Sequence, residues 1–212
     1  MEMSYLATLS DKSILRKILS GELIIHPILD NRQISGGKVD LRLNNVFFLV
    51  GRFKKPYYDP VELLSSEETS EKYLEKRVVQ FGKSFVLHPN DYALAPLFEF
   101  VKLPNNLLGR LDGRSSLGRL GIVVHSTAGS VDPGFSGHLV IELMNNGMLP
   151  VALYPLMRVA TLIFISLSTE AERTYDVGPG SKYGFIQSLQ DVESKLHRDR
   201  DLETIKRMET YV

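Results

Sequence analysis

Leu139-Val140-Ile141-Glu142-Leu143-Met144 reads as a β-strand buried on both faces, an apolar run interrupted by one acid. An ionised carboxylate among apolar neighbours is costly, so Glu142 either holds dedicated partners or takes up a proton and is suited to proton transfer. Upstream of it lie Gly113-Arg114-Ser115-Ser116, Thr127-Ala128-Gly129 and Asp132. Small residues, hydroxyls, charges and a buried acid therefore crowd one stretch, and the active site is expected there.

Outward from this strand the same pattern repeats. Val46–Val50, Phe85–His88, Ala93–Val101 and Val159–Leu167 are further strand-like runs, separated by Gly, Pro, Asn and Asp. Many short strands predict a mainly β fold, a sandwich or barrel. Ahead of them, Ser10 reads as an N-cap, Ile14, Leu15, Ile18 and Leu19 share one helical face, and Gly21 stands where a helix ends. Lys54 to Lys76 is polar and acidic, with Pro56 and Pro60, and is expected to be a surface excursion. Thr169 to Ser181 reads as a loop ending in Gly178-Pro179-Gly180-Ser181-Lys182-Tyr183, able to close over a ligand. Beyond it Val192, Leu196, Leu202, Ile205 and Met208 recur at helical spacing among charges, which predicts an amphipathic C-terminal helix over 188–212.

The 212 residues, 43% of them hydrophobic, suffice for a full core, and roughly 100–200 residues per domain makes 1–212 one domain. Lys plus Arg and Asp plus Glu are 25 each, so no long-range field draws the chain to nucleic acid or an anionic membrane. Met1 to Ser10 lacks the basic start and apolar core of a signal peptide, and no run of about 18 apolar residues could span a bilayer. A cytoplasmic location is expected. The absence of cysteine excludes disulfides, thiolate catalysis and iron–sulfur clusters, and His26, His88, His125, His138 and His197 show no metal-helix spacing. No dedicated transition-metal site is expected.

Gly109-Arg110-Leu111-Asp112-Gly113-Arg114-Ser115-Ser116 lacks the lysine and spacing of a P-loop. Read as a polar turn, it still offers backbone N–H groups, two hydroxyls and a guanidinium to phosphate. Asp132-Pro133-Gly134-Phe135-Ser136-Gly137 has the chemistry of a reversal. His125 and His138 flank that turn and read as structural histidines before they read as catalytic ones. Tyr175 and Lys182, in the late loop, fit packing and solvation as well as ligand contact.

Taken together, Gly113 through Gly121, His125 through Gly129, Asp132 through His138 and Glu142 resemble the dCTP deaminases of the dUTPase-like superfamily. Leu9-Ser10-Asp11, Gly21-Glu22-Leu23, Asp40-Leu41-Arg42-Leu43, His88-Pro89 and Leu103 to Leu107 extend the resemblance over residues 10–182. It implies a distorted β-barrel or jelly-roll-like subunit of the dUTPase type, a homotrimer with active sites between subunits, and Mg2+ carried on the nucleotide triphosphate. It implies removal of ammonia from dCTP without zinc, giving dUTP or dUMP for thymidylate synthesis; zinc deaminases need His-x-Glu and paired-cysteine segments that this chain lacks. Catalytic roles carry over to Glu142 as the proton-transferring base, Ser115 and the Ala128 carbonyl as holders of the attacking water, and Arg119, donated by a neighbouring subunit. Arg114, Ser116, Lys182 and Gln187 would meet phosphate oxygens, and Tyr175, Ser130 and Asp132 would lie near the sugar or ring. Gly129-Ser130 stands where many single-activity deaminases carry His-Arg, and Thr-Ala-Gly before Asp-Pro-Gly-Phe-Ser-Gly-His is closer to the dUMP-forming branch, where the residue matching Asp132 is the candidate base for attack on phosphorus. Gln187 follows Lys182-Tyr183 at altered spacing, so the triphosphate lid differs. Three functions stay open: dCTP deamination with or without dUMP formation, dUTP diphosphatase activity, and non-catalytic nucleotide binding.

Overall fold

The first helix, α1 (Asp11–Leu19), forms where its caps dictate. Ser10 is extended, its hydroxyl accepts the Ser13 N–H at 3.3 Å, Asp11 sits in the first turn and Arg16 and Lys17 in the last. Gly21, at φ 79°, takes the chain out of the helix. Ile14 is buried and Ile18 packs on the core, but Leu15 and Leu19 remain exposed, so the expected four-residue apolar face is only half used. The computed structural model describes residues 7–50 and 74–175. The C-terminal helix expected over 188–212, with Lys182 and Gln187, lies outside them.

Thirteen strands follow: β1 (Ile24–His26), β2 (Ile34–Ser35), β3 (Lys38–Arg42), β4 (Val46–Val50), β5 (Leu74–Val78), β6 (Phe85–Leu87), β7 (Tyr92–Lys102), β8 (Leu107–Gly113), β9 (Ile122–Val124), β10 (Ser130–Val131), β11 (Ser136–Asn145), β12 (Val151–Leu153) and β13 (Arg158–Ser166), with the one-turn helix α2 (Ser115–Gly118) after β8. One sheet runs β5-β4-β7-β11-β9, with β1 also on β7; the other runs β10-β8-β13-β3-β2; β12 and β6 form a ribbon. The subunit is mainly β and jelly-roll-like, its two large sheets open rather than closed into one barrel. Among the described residues no helix is long and apolar enough to cross a membrane.

The core lies between the sheets. Val39 and Leu41 of β3, Phe47 of β4, Ala93, Ala95 and Leu97 of β7, and Leu162 and Phe164 of β13 are all fully buried, and Phe47 stacks on Phe85 with ring centroids 4.2 Å apart. Burying one such side chain contributes about 1.5–3 kcal/mol. The core also holds charges that hydropathy alone does not locate. Glu99 of β7 accepts from Gln33 Nε2 at 2.8 Å and from the Arg42 backbone N–H at 2.8 Å, while the Arg42 guanidinium meets Gln33 Oε1 and lies 3.4 Å from Glu99. Burial pushes the Glu99 carboxyl up from its ordinary range, and the hydrogen bonds from Arg42 oppose that shift.

Three expectations need correction. β11 is not buried on both faces: Leu139, Ile141 and Leu143 are buried, whereas Val140, Glu142 and Met144 alternate with them on a half-exposed face. Gly109–Gly113 is not a turn but the end of β8, paired with β13 along its length. Its two glycines and two charges mask the alternation of Leu107, Gly109 and Leu111 into the core. Finally, Lys76 belongs to a strand and not to the expected excursion, because β5 starts at Leu74 and pairs with β4; residues 54–73 of that stretch and 176–183 of the late loop lie outside the described residues.

Two glycines draw the site together. A Cβ on Gly113 would stand 3.0 Å from Val124 Cβ, so glycine lets the end of β8 close on β9. Gly121 combines φ +83° with backbone atoms of Gly147 only 2.6 Å from where its Cβ would be, which fixes the start of β9 against the β11–β12 connection.

Candidate active site

Glu142 is held from the side and from below. Its carbonyl accepts the His125 N–H at 2.8 Å, continuing the β11–β9 ladder one residue past Leu143↔Val124. Its carboxylate accepts the Ser126 N–H at 3.1 Å and the Ser126 hydroxyl at 2.9 Å, both on Oε2. Ser126, whose contacts with Glu142 sequence reasoning misses, is a further candidate site residue; the signal was a hydroxyl placed directly after a ladder residue. His125 adopts φ 60° and its Nε2 lies 2.6 Å from the Ala128 carbonyl. A carbonyl only accepts, so that nitrogen carries a proton, and the buried Nδ1 has no hydrogen-bond partner among the described residues. Leu111 N–H binds the Gly129 carbonyl at 2.7 Å. The loop carrying Ala128 is thus pinned to β11 on one side and β8 on the other.

Tyr92 shares the face of Glu142, because Tyr92 pairs with Met144 and Leu94 with Glu142 across β7 and β11. Burial first, and then the charge of Glu142, push its hydroxyl up to about 12. The other flanking histidine, His138, is a structural one, with Nδ1 at 3.1 Å from the Leu97 carbonyl and its ring against Phe100.

The Arg-Ser-Ser segment follows β8 directly. Arg114 N–H binds the Val159 carbonyl at 3.3 Å, Leu117 is buried and anchors α2, and the Arg119 N–H closes the turn on the Ser115 carbonyl at 3.0 Å. Ser115, Ser116 and Arg119 are exposed. Among the described residues, neither Ser115 nor Arg119 hydrogen-bonds to Glu142 of the same chain. The Arg114 guanidinium binds Asp40 Oδ2, and Arg158 Nη1 reaches the same oxygen at 3.2 Å.

Asp132 stands exposed on the β10–β11 turn, with the Phe135 N–H on its carbonyl at 3.1 Å, as its sequence predicts. Tyr175 is brought to that turn: its N–H binds the Pro133 carbonyl at 2.9 Å and its ring lies 5.4 Å from Phe135. Ser130 opens β10 opposite Arg110. The geometry therefore gathers Glu142 with the Ala128 loop, Asp132 with Tyr175, and Arg114 with Asp40. Among the described residues no group of three or more His, Asp or Glu is arranged to hold a metal ion.

Residues 8–167 match the family model described as dCTP deaminase-like. The chain belongs to the dCTP deaminase-like family. A relative from Methanobrevibacter smithii named "dCTP deaminase, dUMP-forming" is 41% identical over 197 residues, covering 93% of this chain and 99% of its own. Another of that name, from Dictyoglomus thermophilum, is 46% identical over 176 residues, 82% of this chain and 88% of its own. A Haloarcula marismortui relative named "dCTP deaminase" is 42% identical over 194 residues, 91% of this chain and 96% of its own. The crystal structure of 2'-deoxycytidine 5'-triphosphate deaminase from Agrobacterium tumefaciens matches 76% of this chain and 48% of that one, with a TM-score of 0.60 at 20% identity, which bears on the fold. Glu142 with the Ala128 loop, and Asp132, fall inside residues 8–167, whereas Tyr175 lies beyond them.

Proposed function

We propose that this member of the dCTP deaminase-like family hydrolyses dCTP to dUMP, ammonia and diphosphate. The observation that carries the reading is Glu142: an acid on an otherwise apolar strand, its Oε2 fixed by both donors of Ser126, at the foot of the loop that presents the Ala128 carbonyl. Relatives named dUMP-forming support the second half of the reaction.

Water attacks the amino-bearing ring carbon, giving its proton to Glu142, which passes protons to the ring nitrogen and the departing amine; dCTP and water become dUTP and ammonia. Ser115 and the Ala128 carbonyl hold that water, and Arg119 from a neighbouring subunit fixes the charge of Glu142. A second water, deprotonated by Asp132, then attacks phosphorus, and diphosphate leaves to give dUMP. Because the Glu142 carboxylate is held by Ser126 before substrate arrives, little reorganisation of the base accompanies deamination. Arg114, Ser116, Lys182 and Gln187 take the phosphates, and Tyr175 and Ser130 the sugar side. Mg2+ enters as part of the substrate, on the triphosphate.

A homotrimer completes the site. Val140 and Met144, with Leu94 and Tyr92 of β7, leave an apolar face half-exposed around Glu142. A second copy packed there buries that face and supplies Arg119.

Incubation with dCTP and, separately, with dUTP, each with magnesium, tests the reading by scoring ammonia, diphosphate, dUTP and dUMP. Matched ammonia, diphosphate and dUMP from dCTP are expected. Consumption of dUTP alone makes the protein a diphosphatase, and no turnover of either makes it a binding protein. Asp132→Asn, changing an exposed turn residue, is expected to lower diphosphate release about a hundredfold or more and let dUTP accumulate from dCTP. Equal loss of ammonia and diphosphate in a variant of unchanged thermal stability would leave Asp132 a purely structural role.

A further inference from the structure

Asp40 carries one negative charge and holds two guanidinium groups. Arg114 and Arg158 both bind its Oδ2, and the aspartate side chain is 7% exposed while the arginines are 27% and 36% exposed. One counter-ion satisfies a buried carboxylate. A second arginine brings a like charge against Arg114; the other acid within Coulombic reach of Arg158, Asp30, is itself paired with Arg32, so three cations share two carboxylates and the excess positive charge is one that an anion offsets.

The backbone is shaped to produce that cluster. β13 pairs with β3 as Arg158↔Arg42 and then Ala160↔Leu41 and Thr161↔Asp40, so an extra residue is accommodated between Arg158 and Ala160. In an uninterrupted strand Arg158 and Thr161, three residues apart, point to opposite faces. The bulge returns Arg158 to the face of Asp40, and bulges that re-aim a side chain are enriched beside active sites. The arginine would otherwise project into the core side of a strand whose Val159, Ala160 and Leu162 are fully buried.

We propose that Arg158 is a second phosphate-holding arginine, which with Arg114 forms a fork fixed by Asp40 and open to the triphosphate at the start of α2. This rests on the nucleotide-triphosphate reading above and assigns a binding residue to it. Asp40 restrains both side chains before the ligand arrives, so less side-chain freedom is lost on binding, and both arginines stay partly exposed.

Calorimetric titration of the full-length protein with magnesium and inorganic tripolyphosphate reads the anion site without the pyrimidine chemistry. Arg158→Gln is expected to weaken tripolyphosphate binding about tenfold to a hundredfold, the range of a charge-assisted hydrogen-bond pair, and to raise KM for dCTP in parallel with kcat within about threefold. Arg158→Lys should recover part of the affinity, since it keeps the charge and loses the planar fork. Arg114 remains on Asp40 in either variant, which keeps the carboxylate paired. Unchanged tripolyphosphate affinity in Arg158→Gln overturns the proposal and makes Arg158 a structural counter-ion. Arginine-dependent tripolyphosphate binding by a protein that leaves dCTP intact would instead sustain this assignment and overturn the deaminase reading.

Discussion

Glu142→Gln is expected to lower ammonia release from dCTP by about 10²–10⁴-fold, the usual share of a positioned general base. The amide has nearly the same shape, and its oxygen can still accept from Ser126, so the loop from His125 to Gly129 should keep its place. What disappears is the ability to take a proton from water and return it to the ring. Diphosphate release from dUTP should fall far less, because Asp132 sits on a separate turn next to Tyr175. The check is parallel measurement of ammonia from dCTP and diphosphate from dUTP, with the assembly state followed by light scattering. Ammonia release at the wild-type rate would show that another group is the base.

Arg42→Met is expected to destabilise the fold by about 3–5 kcal/mol, the cost of removing one partner from a buried charged pair. The loss follows from what stays behind. Glu99 is fully buried and Gln33 is too, and the Arg42 guanidinium is the group between Gln33 Oε1 and Glu99 Oε1. Without it a buried amide oxygen and a buried carboxylate lose a donor they share. At about 2–4 °C per kcal/mol for a chain of this size, the melting temperature should drop on the order of 10 °C. A drop of only a degree or two would mean that Gln33 and the Arg42 backbone N–H satisfy Glu99 unaided.

The two outcomes reflect what local sequence can and cannot encode. β4 was legible residue for residue over Val46–Val50, because an uninterrupted apolar run flanked by Asn45 and Gly51 admits little else. Ser10 and Gly21 marked α1 for the same local reason. β3 was hidden because it buries charge, Asp40 and Arg42 being paired by residues far along the chain, and β8 because Arg110 and Asp112 point outward between glycine and leucine. Short strands such as β9 and β10 carry too few residues to show a period at all.

Site residues divide in the same way. Glu142 announced itself as an acid in apolar company, yet the inference of enclosure on both sides was wrong for the single subunit, since hydropathy does not say which molecule covers a face. Asp132 was legible from its turn. The contact of Ser126 with Glu142 was not, because it arises only once β9 lies beside β11, and the direction of Arg158 was not, because it depends on an irregularity in strand pairing.

The alternation along β11 from Leu139 to Asn145 has a consequence for how such chains can change over time. Successive side chains point in opposite directions, so inserting or deleting one residue shortly before Glu142 would exchange it with Ile141, carrying the acid inward and an isoleucine outward. Substitutions along this segment can be graded and repaired one by one, whereas a change of length by a single codon inverts it all at once. Descendants of this protein should therefore vary in the spacing of their other connections long before they vary in the count of residues from Asp132 to Glu142.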